Sequence, residues 1–226
     1  MATHLDLEEQ EQLDQLKAFW KQYGNLLTWA LIAVLATFAA WNAWNWWQRD
    51  QAVKAGAMFD ELEAAAQAGD AARAGGVFAD MKSRFPNTAF TAQGGLLAAK
   101  VQFEKGQADA ARATLSWVGE NAAEAEYKTV ARLRLAGVLL DEKKYDEALK
   151  QLDGASAKEF VPLVEDRRGD ILLAQGKKDE AKAAYMKAWA AMDPKVEYRR
   201  LIEAKLNVLG TDPQGAQAKQ APEASK

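Results

Sequence analysis

Between Gln22 and Gln48 the chain carries no charged side chain, and the stretch Leu26 to Trp47 reads LLTWALIAVLATFAAWNAWNWW. Twenty-two helical residues at about 1.5 Å each span about 33 Å, the thickness of a bilayer's hydrocarbon core. Three readings compete. A cleaved export signal needs a basic start, a shorter apolar stretch and a small-x-small cleavage site, whereas the tail here is acidic and no Ala-x-Ala occurs between Leu26 and Trp47. A core helix of a soluble protein keeps charge on its exposed stripe, and this run offers none. The segment is therefore expected to be a retained transmembrane helix over residues 25–48.

Tryptophan placement agrees. Indole rings favour the headgroup zone, where the ring is half apolar and the N–H reaches water. Trp41, Trp44, Trp46 and Trp47 gather at one end, and Trp20, Tyr23 and Trp29 near the other. Trp20, Tyr23, Trp44, Trp46 and Trp47 are the expected interface anchors. Basic flanks leave orientation open, with Lys17 and Lys21 on one side and Arg49 and Lys54 on the other. Ahead of the span, residues 1–24 form an acidic tail in which Leu13, Leu16, Trp20 and Tyr23 make one apolar helical stripe, expected to stop at Gly24-Asn25. The stripe fits either a helix that docks on a protein or a solvated lead-in.

Beyond Asp50 a small pattern recurs. AAKVQFEKGQADAARATL, LAGVLLDEKKYDEALKQL and RRGDILLAQGKKDEAKAAY each carry a small residue, helix-period apolar residues, a turn, then a small residue with a large one four positions on. The small pairs are Ala99 with Ala111, Ala136 with Ala148, and Gly169 with Ala181, beside Leu115, Leu152 and Tyr185. Small side chains at facing points let two antiparallel helices approach closely. A degenerate first copy has Ala74 and Phe78 in these places but Leu62 where a small residue belongs, so residues 51–67 are open to being a simple outward extension of the membrane helix. The second-helix alanines recur at 37, 37 and 33 residues, close to the tetratricopeptide period of about 34. Gly69, Gly106 and Gly176 mark turns that need a left-handed residue, and Lys143 stands there in the third copy.

The expected architecture is all-α: one transmembrane helix, then a tetratricopeptide-like helical-repeat solenoid over residues 49–210 ending in a capping helix at Val196 to Leu209, whose apolar face is Tyr198, Leu201, Ile202, Leu206 and Leu209. Residues 211–226 hold almost nothing to bury and are expected to be disordered. On a tetratricopeptide superhelix the inward positions are Gln93, Leu96, Lys100 and Phe103, then Val130, Leu133, Gly137 and Leu140, then Leu163, Asp166, Asp170 and Leu173. Phe103, Leu140 and Leu173 would align as an apolar row, with Lys100, Asp166 and Asp170 setting polarity. These positions either pack against neighbouring repeats and the cap or line a groove for a peptide.

Chemistry is hard to find. The chain has no cysteine, and its one histidine, His4, lies in the polar tail. DEKKYDE and GKKDEAK fall at hairpin tips, where mixed charge marks a solvated loop. No phosphate loop, metal-ligand spacing or nucleophile–base pair occurs. Net charge is −3, all of it from residues 1–21, so no basic surface argues for nucleic acid. Neither enzyme nor cofactor is expected.

The acidic lead EEQEQLDQLKAFWKQYGN, the Trp-rich exit WNAWNWW, then RLRLAGVLL, YDEALKQLD and RRGDILLAQGKKDEAKAAYMKA, in that order, resemble the YfgM-like family, ancillary subunits of the bacterial Sec translocon. The resemblance covers residues 8–209. It implies a single-pass inner-membrane protein with a cytoplasmic N-terminus and periplasmic repeats. It also implies association with the SecYEG translocon and the periplasmic prolyl isomerase PpiD, with the repeats helping to pass nascent secretory chains to folding factors. The residues themselves leave open a different role, as scaffold of another envelope assembly such as cell-wall synthesis.

Overall fold

The computed structural model describes residues 7–215, with side chains from residue 11 onward. His4 and the last eleven positions of the expected disordered tail lie outside the described residues. The chain divides into two compact units at Gln51/Ala52.

Within the described residues the first unit is helix throughout. Helix α1 runs from Leu7 to Gln67, so its last turns belong to the second unit. Its apolar part has a mean hydropathy of 1.7 and is long and apolar enough to cross a membrane. All the large apolar side chains from Leu26 to Trp47 are exposed, as a helix solvated by lipid requires. Trp20, Tyr23, Trp44, Trp46 and Trp47 are exposed as well, and the rings of Trp44 and Trp47 lie 5.2 Å apart. The expected break at Gly24-Asn25 does not occur. An interior glycine weakens a helix by only about 1 kcal/mol, and here the Trp20 indole lies against Gly24, where a Cβ would stand 3.2 Å from its Nε1. Thr28 and Thr37 donate their hydroxyls to the carbonyls of Gly24 and Ala33, and Asn42 donates to that of Phe38, so these polar groups are satisfied within the helix itself.

The second unit begins inside α1 and continues through α2 (Ala71–Arg84), α3 (Ala89–Glu104), α4 (Ala108–Asn121), α5 (Ala125–Asp141), α6 (Tyr145–Asp153), α7 (Val161–Ala174), α8 (Lys178–Ala191) and α9 (Tyr198–Val208). From α2 onward each helix packs on the next, and α3, α5 and α7, the first helices of successive hairpins, also touch in order. Residues 52–67 are no bare extension: Leu62 and Ala65 are buried with Phe78 and Met81 of α2, so α1 supplies the first helix of the first hairpin. Leu62 is accommodated because the facing residue is Gly94, whose missing Cβ would stand 3.2 Å from Leu62 Cδ1.

The paired small residues lie at the helix crossings. Ala99, Ala111, Ala136, Ala148 and Ala181 are all buried, and Gly169 lies so close to the Tyr185 ring that a Cβ would stand 2.5 Å from Cδ1. The turns follow the glycines, with φ of 66° at Gly69, 75° at Gly106 and 79° at Gly176; Lys143 adopts φ 60° in the same role. One continuous core runs from Leu62 to Ile171, and a second gathers Leu172, Tyr185, Trp189, Ile202 and Leu206 under α9. Order continues past Thr211, because Pro213 is fully buried and Gln214 donates a hydrogen bond to Glu203.

Candidate functional site

Because α3, α5 and α7 lie side by side, their inward faces form the walls of one surface. Between them is a cleft of about 430 Å³. Helix α3 contributes Ala99, Lys100, Phe103 and Glu104; α5 contributes Arg134, Gly137, Val138 and Asp141; α7 contributes Arg167, and Leu115 of α4 closes the floor. Phe103 is 42% exposed although it is a large aromatic in the middle of a folded domain. Gly137 opens the cleft: at its register position the neighbouring first helices carry Lys100 and Asp170, and a Cβ on Gly137 would stand 3.8 Å from the guanidinium carbon of Arg167.

The expected groove positions separate into three groups. Lys100 and Phe103 line the cleft. Gln93, Leu133 and Leu140 are structural: the Gln93 amide donates to the Tyr127 hydroxyl at 2.5 Å, and Leu133 and Leu140 are half-buried against the main core. Of the expected apolar row, Phe103 lines the cleft; Phe103 and Leu173 are exposed, and Leu140 is half-buried.

Asp166 and Asp170 form the third group, and helix α9 has claimed them. Lys205 Nζ lies 2.8 and 2.9 Å from the two carboxylate oxygens of Asp166 and 2.7 Å from Asp170 Oδ1. The Tyr198 hydroxyl donates to Asp166 at 2.7 Å and that of Tyr185 to Asp170 at 2.8 Å. Asp166 is only 3% exposed, and a carboxylate so buried is tolerable because both oxygens are bonded to charged or hydroxyl donors. Burial first, and then the hydrogen bond to a carboxylate, push the phenols of Tyr185 and Tyr198 well above the ordinary tyrosine value. Tyr198 and Lys205 of the capping helix thus occupy the Asp166 and Asp170 positions of α7.

Two cations that the sequence reading did not single out take over the open part. Arg134 donates to the carbonyl of Leu96 at 3.1 Å, which holds it on the cleft wall, and Arg167 makes only a long contact of 3.8 Å with Asp170. Counted from the small residue of each first helix, both stand two places before it, a coincidence of register that was available in the sequence. Lys100 and Glu104 pair loosely at 3.8 Å. The arrangement can hold a polypeptide segment by apolar contact and ion pairing. Among the described residues no three His, Cys, Asp or Glu side chains are grouped as metal ligands would be.

Comparison with known proteins agrees with the helical-repeat fold. The chain matches the tetratricopeptide repeat-like domain family over residues 17–211. It is 32% identical over 210 residues to the ancillary SecYEG translocon subunit of Neisseria gonorrhoeae, covering 92% of this chain and 100% of the relative. It is 28% identical to the protein of that name from Haemophilus influenzae, over 80% of this chain and 89% of the relative, and 29% identical to that of Escherichia coli, over 89% and 96%. No solved structure gives a significant match. With an apolar helix of membrane length followed by a tetratricopeptide-like solenoid, and with relatives matched over nearly their whole length, the chain belongs to the family of ancillary SecYEG translocon subunits.

Proposed function

We propose that the protein is a non-enzymatic adaptor of the Sec translocon, held in the inner membrane by α1 and binding partner segments in the cleft between α3, α5 and α7. The observation that carries this reading is that cleft, open and lined by an exposed Phe103, in a chain whose relatives are named as translocon subunits. Tethering is the mechanism. A groove confined beside the channel meets its partner at an effective concentration far above that of a freely diffusing protein, with no covalent step. The N-terminus lies in the cytoplasm and the repeats in the periplasm, where the groove meets SecYEG, emerging secretory chains and membrane-bound folding factors such as PpiD.

A photo-crosslinking residue at position 103 in the full chain tests the reading in cells. Adducts with translocon subunits, nascent chains or periplasmic chaperones are the expected result. Adducts with a single cell-wall-synthesis protein, and none with the translocon, would replace the reading by that of an envelope scaffold. A C-terminal reporter active only in the periplasm tests the orientation, and activity from a cytoplasmic reporter instead would reverse it.

A further inference from the structure

The cleft's charges are sorted along its length. Arg134 and Arg167 stand at one height on adjacent helices, with Lys100 three positions further along. Glu104 and Asp141 both stand five places after the small residue of their helices, about 10 Å along the axis from the arginines. Phe103 and Val138 lie between the two tiers, over the gap that Gly137 leaves. The acids nearest the basic end, Asp166 and Asp170, are bonded to Lys205, Tyr185 and Tyr198, and the second oxygen of Asp170 keeps the long 3.8 Å contact with Arg167. A guanidinium has five N–H donors, and the contacts described use one on Arg134 and a long one on Arg167.

Resting on the reading of this cleft as the partner-binding site, we infer that it recognises an acidic residue adjoining an apolar one in an extended partner segment. The carboxylate sits between Arg134 and Arg167, where two guanidinium forks offer bidentate bonds. The neighbouring apolar side chain enters the gap over Gly137 against Phe103 and Val138. Glu104 and Asp141 at the far end repel a second carboxylate there, which fixes the direction in which the segment lies.

The test uses the full chain in detergent micelles and fluorescein-labelled nine-residue peptides of a Gly/Ser host carrying Glu-Leu, Gln-Leu or Lys-Leu at the centre, read by fluorescence anisotropy. Glu-Leu should bind at least ten-fold more tightly than Lys-Leu, with an affinity that falls as salt rises. The Arg134→Gln/Arg167→Gln variant should bind Glu-Leu no better than Gln-Leu while keeping its far-ultraviolet circular dichroism. Gly137→Leu, which fills the gap on a helix that tolerates leucine well, should abolish binding of all three. If Lys-Leu binds as tightly as Glu-Leu and Gly137→Leu still abolishes binding, the acidic preference is wrong and the cleft remains the site. If Gly137→Leu leaves binding unchanged, or no peptide binds at millimolar concentration, the cleft reading falls and the inference with it.

Discussion

Replacing Gly169 by alanine probes the crossing of α7 and α8 with a single methyl group. On helix propensity alone the change favours the folded state by about 1 kcal/mol. The packing opposes it. The added Cβ would stand 2.5 Å from Tyr185 Cδ1 and 2.8 Å from Cζ, roughly 1 Å closer than carbon atoms pack. Tyr185 cannot yield outward, being 1% exposed, and a shift of its ring breaks the 2.8 Å bond from its hydroxyl to Asp170. Overpacking costs about 1–3 kcal/mol and loss of a hydrogen bond to a charged group about 1.5–3 kcal/mol, so a net loss of about 1.5–5 kcal/mol remains after the propensity gain. A solenoid loses stability locally, so the assay is native-state hydrogen exchange of the α7–α9 amides in the full chain, where that loss accelerates exchange about 10- to 4,000-fold. Gly76→Ala in α2 is the matched control: nothing lies within 4 Å of the added Cβ, and exchange in α2 should slow, by the equivalent of about 0.5–1 kcal/mol. Unchanged or slower exchange in α7–α9 of Gly169→Ala would refute the tight crossing.

Lys143→Gly removes the left-handed strain of a side chain at φ 60° and should stabilise the α5–α6 hairpin by about 1 kcal/mol, seen as slower amide exchange there. Lys205→Met leaves the buried Asp166 without its counter-charge; removing one partner of such a pair costs about 3 kcal/mol, and α9 amides should exchange faster while those of α2–α4 do not change. Alkali should loosen the same end. The phenols of Tyr185 and Tyr198 are raised in the fold, first by burial, so the folded state keeps protons that the unfolded chain releases near pH ~10. Their contribution is whole below about pH 10 and is lost as pH rises beyond it, and the Tyr185→Phe/Tyr198→Phe variant should show a shallower alkaline fall in the α7–α9 melting temperature.

Local rules reached a long way into this fold. The spacing of Ala111, Ala148 and Ala181 located the helix crossings, and the left-handed turns were legible even at Lys143, where the residue type argues against one, because neighbouring repeats specify the position. Gly24 misled for a different reason: composition marks a break, but the local contacts of Trp20 and Thr28, one turn before and one turn after it, sustain the helix. The site was harder to see. Lys205 reaches carboxylates 35 and 39 residues earlier in the chain, and no periodicity announces a pairing between a cap and a repeat. Once those acids are occupied, the polarity of the cleft passes to Arg134 and Arg167.

The account as a whole rests on α1 staying in lipid and carrying the repeats. Carbonate extraction of membranes from cells producing the full chain, followed by mass measurement of the protein, addresses that directly. The whole polypeptide, with residues 1–48 still attached, should remain in the membrane pellet. Recovery in the soluble fraction, or of a shortened chain lacking the apolar segment, would contradict it.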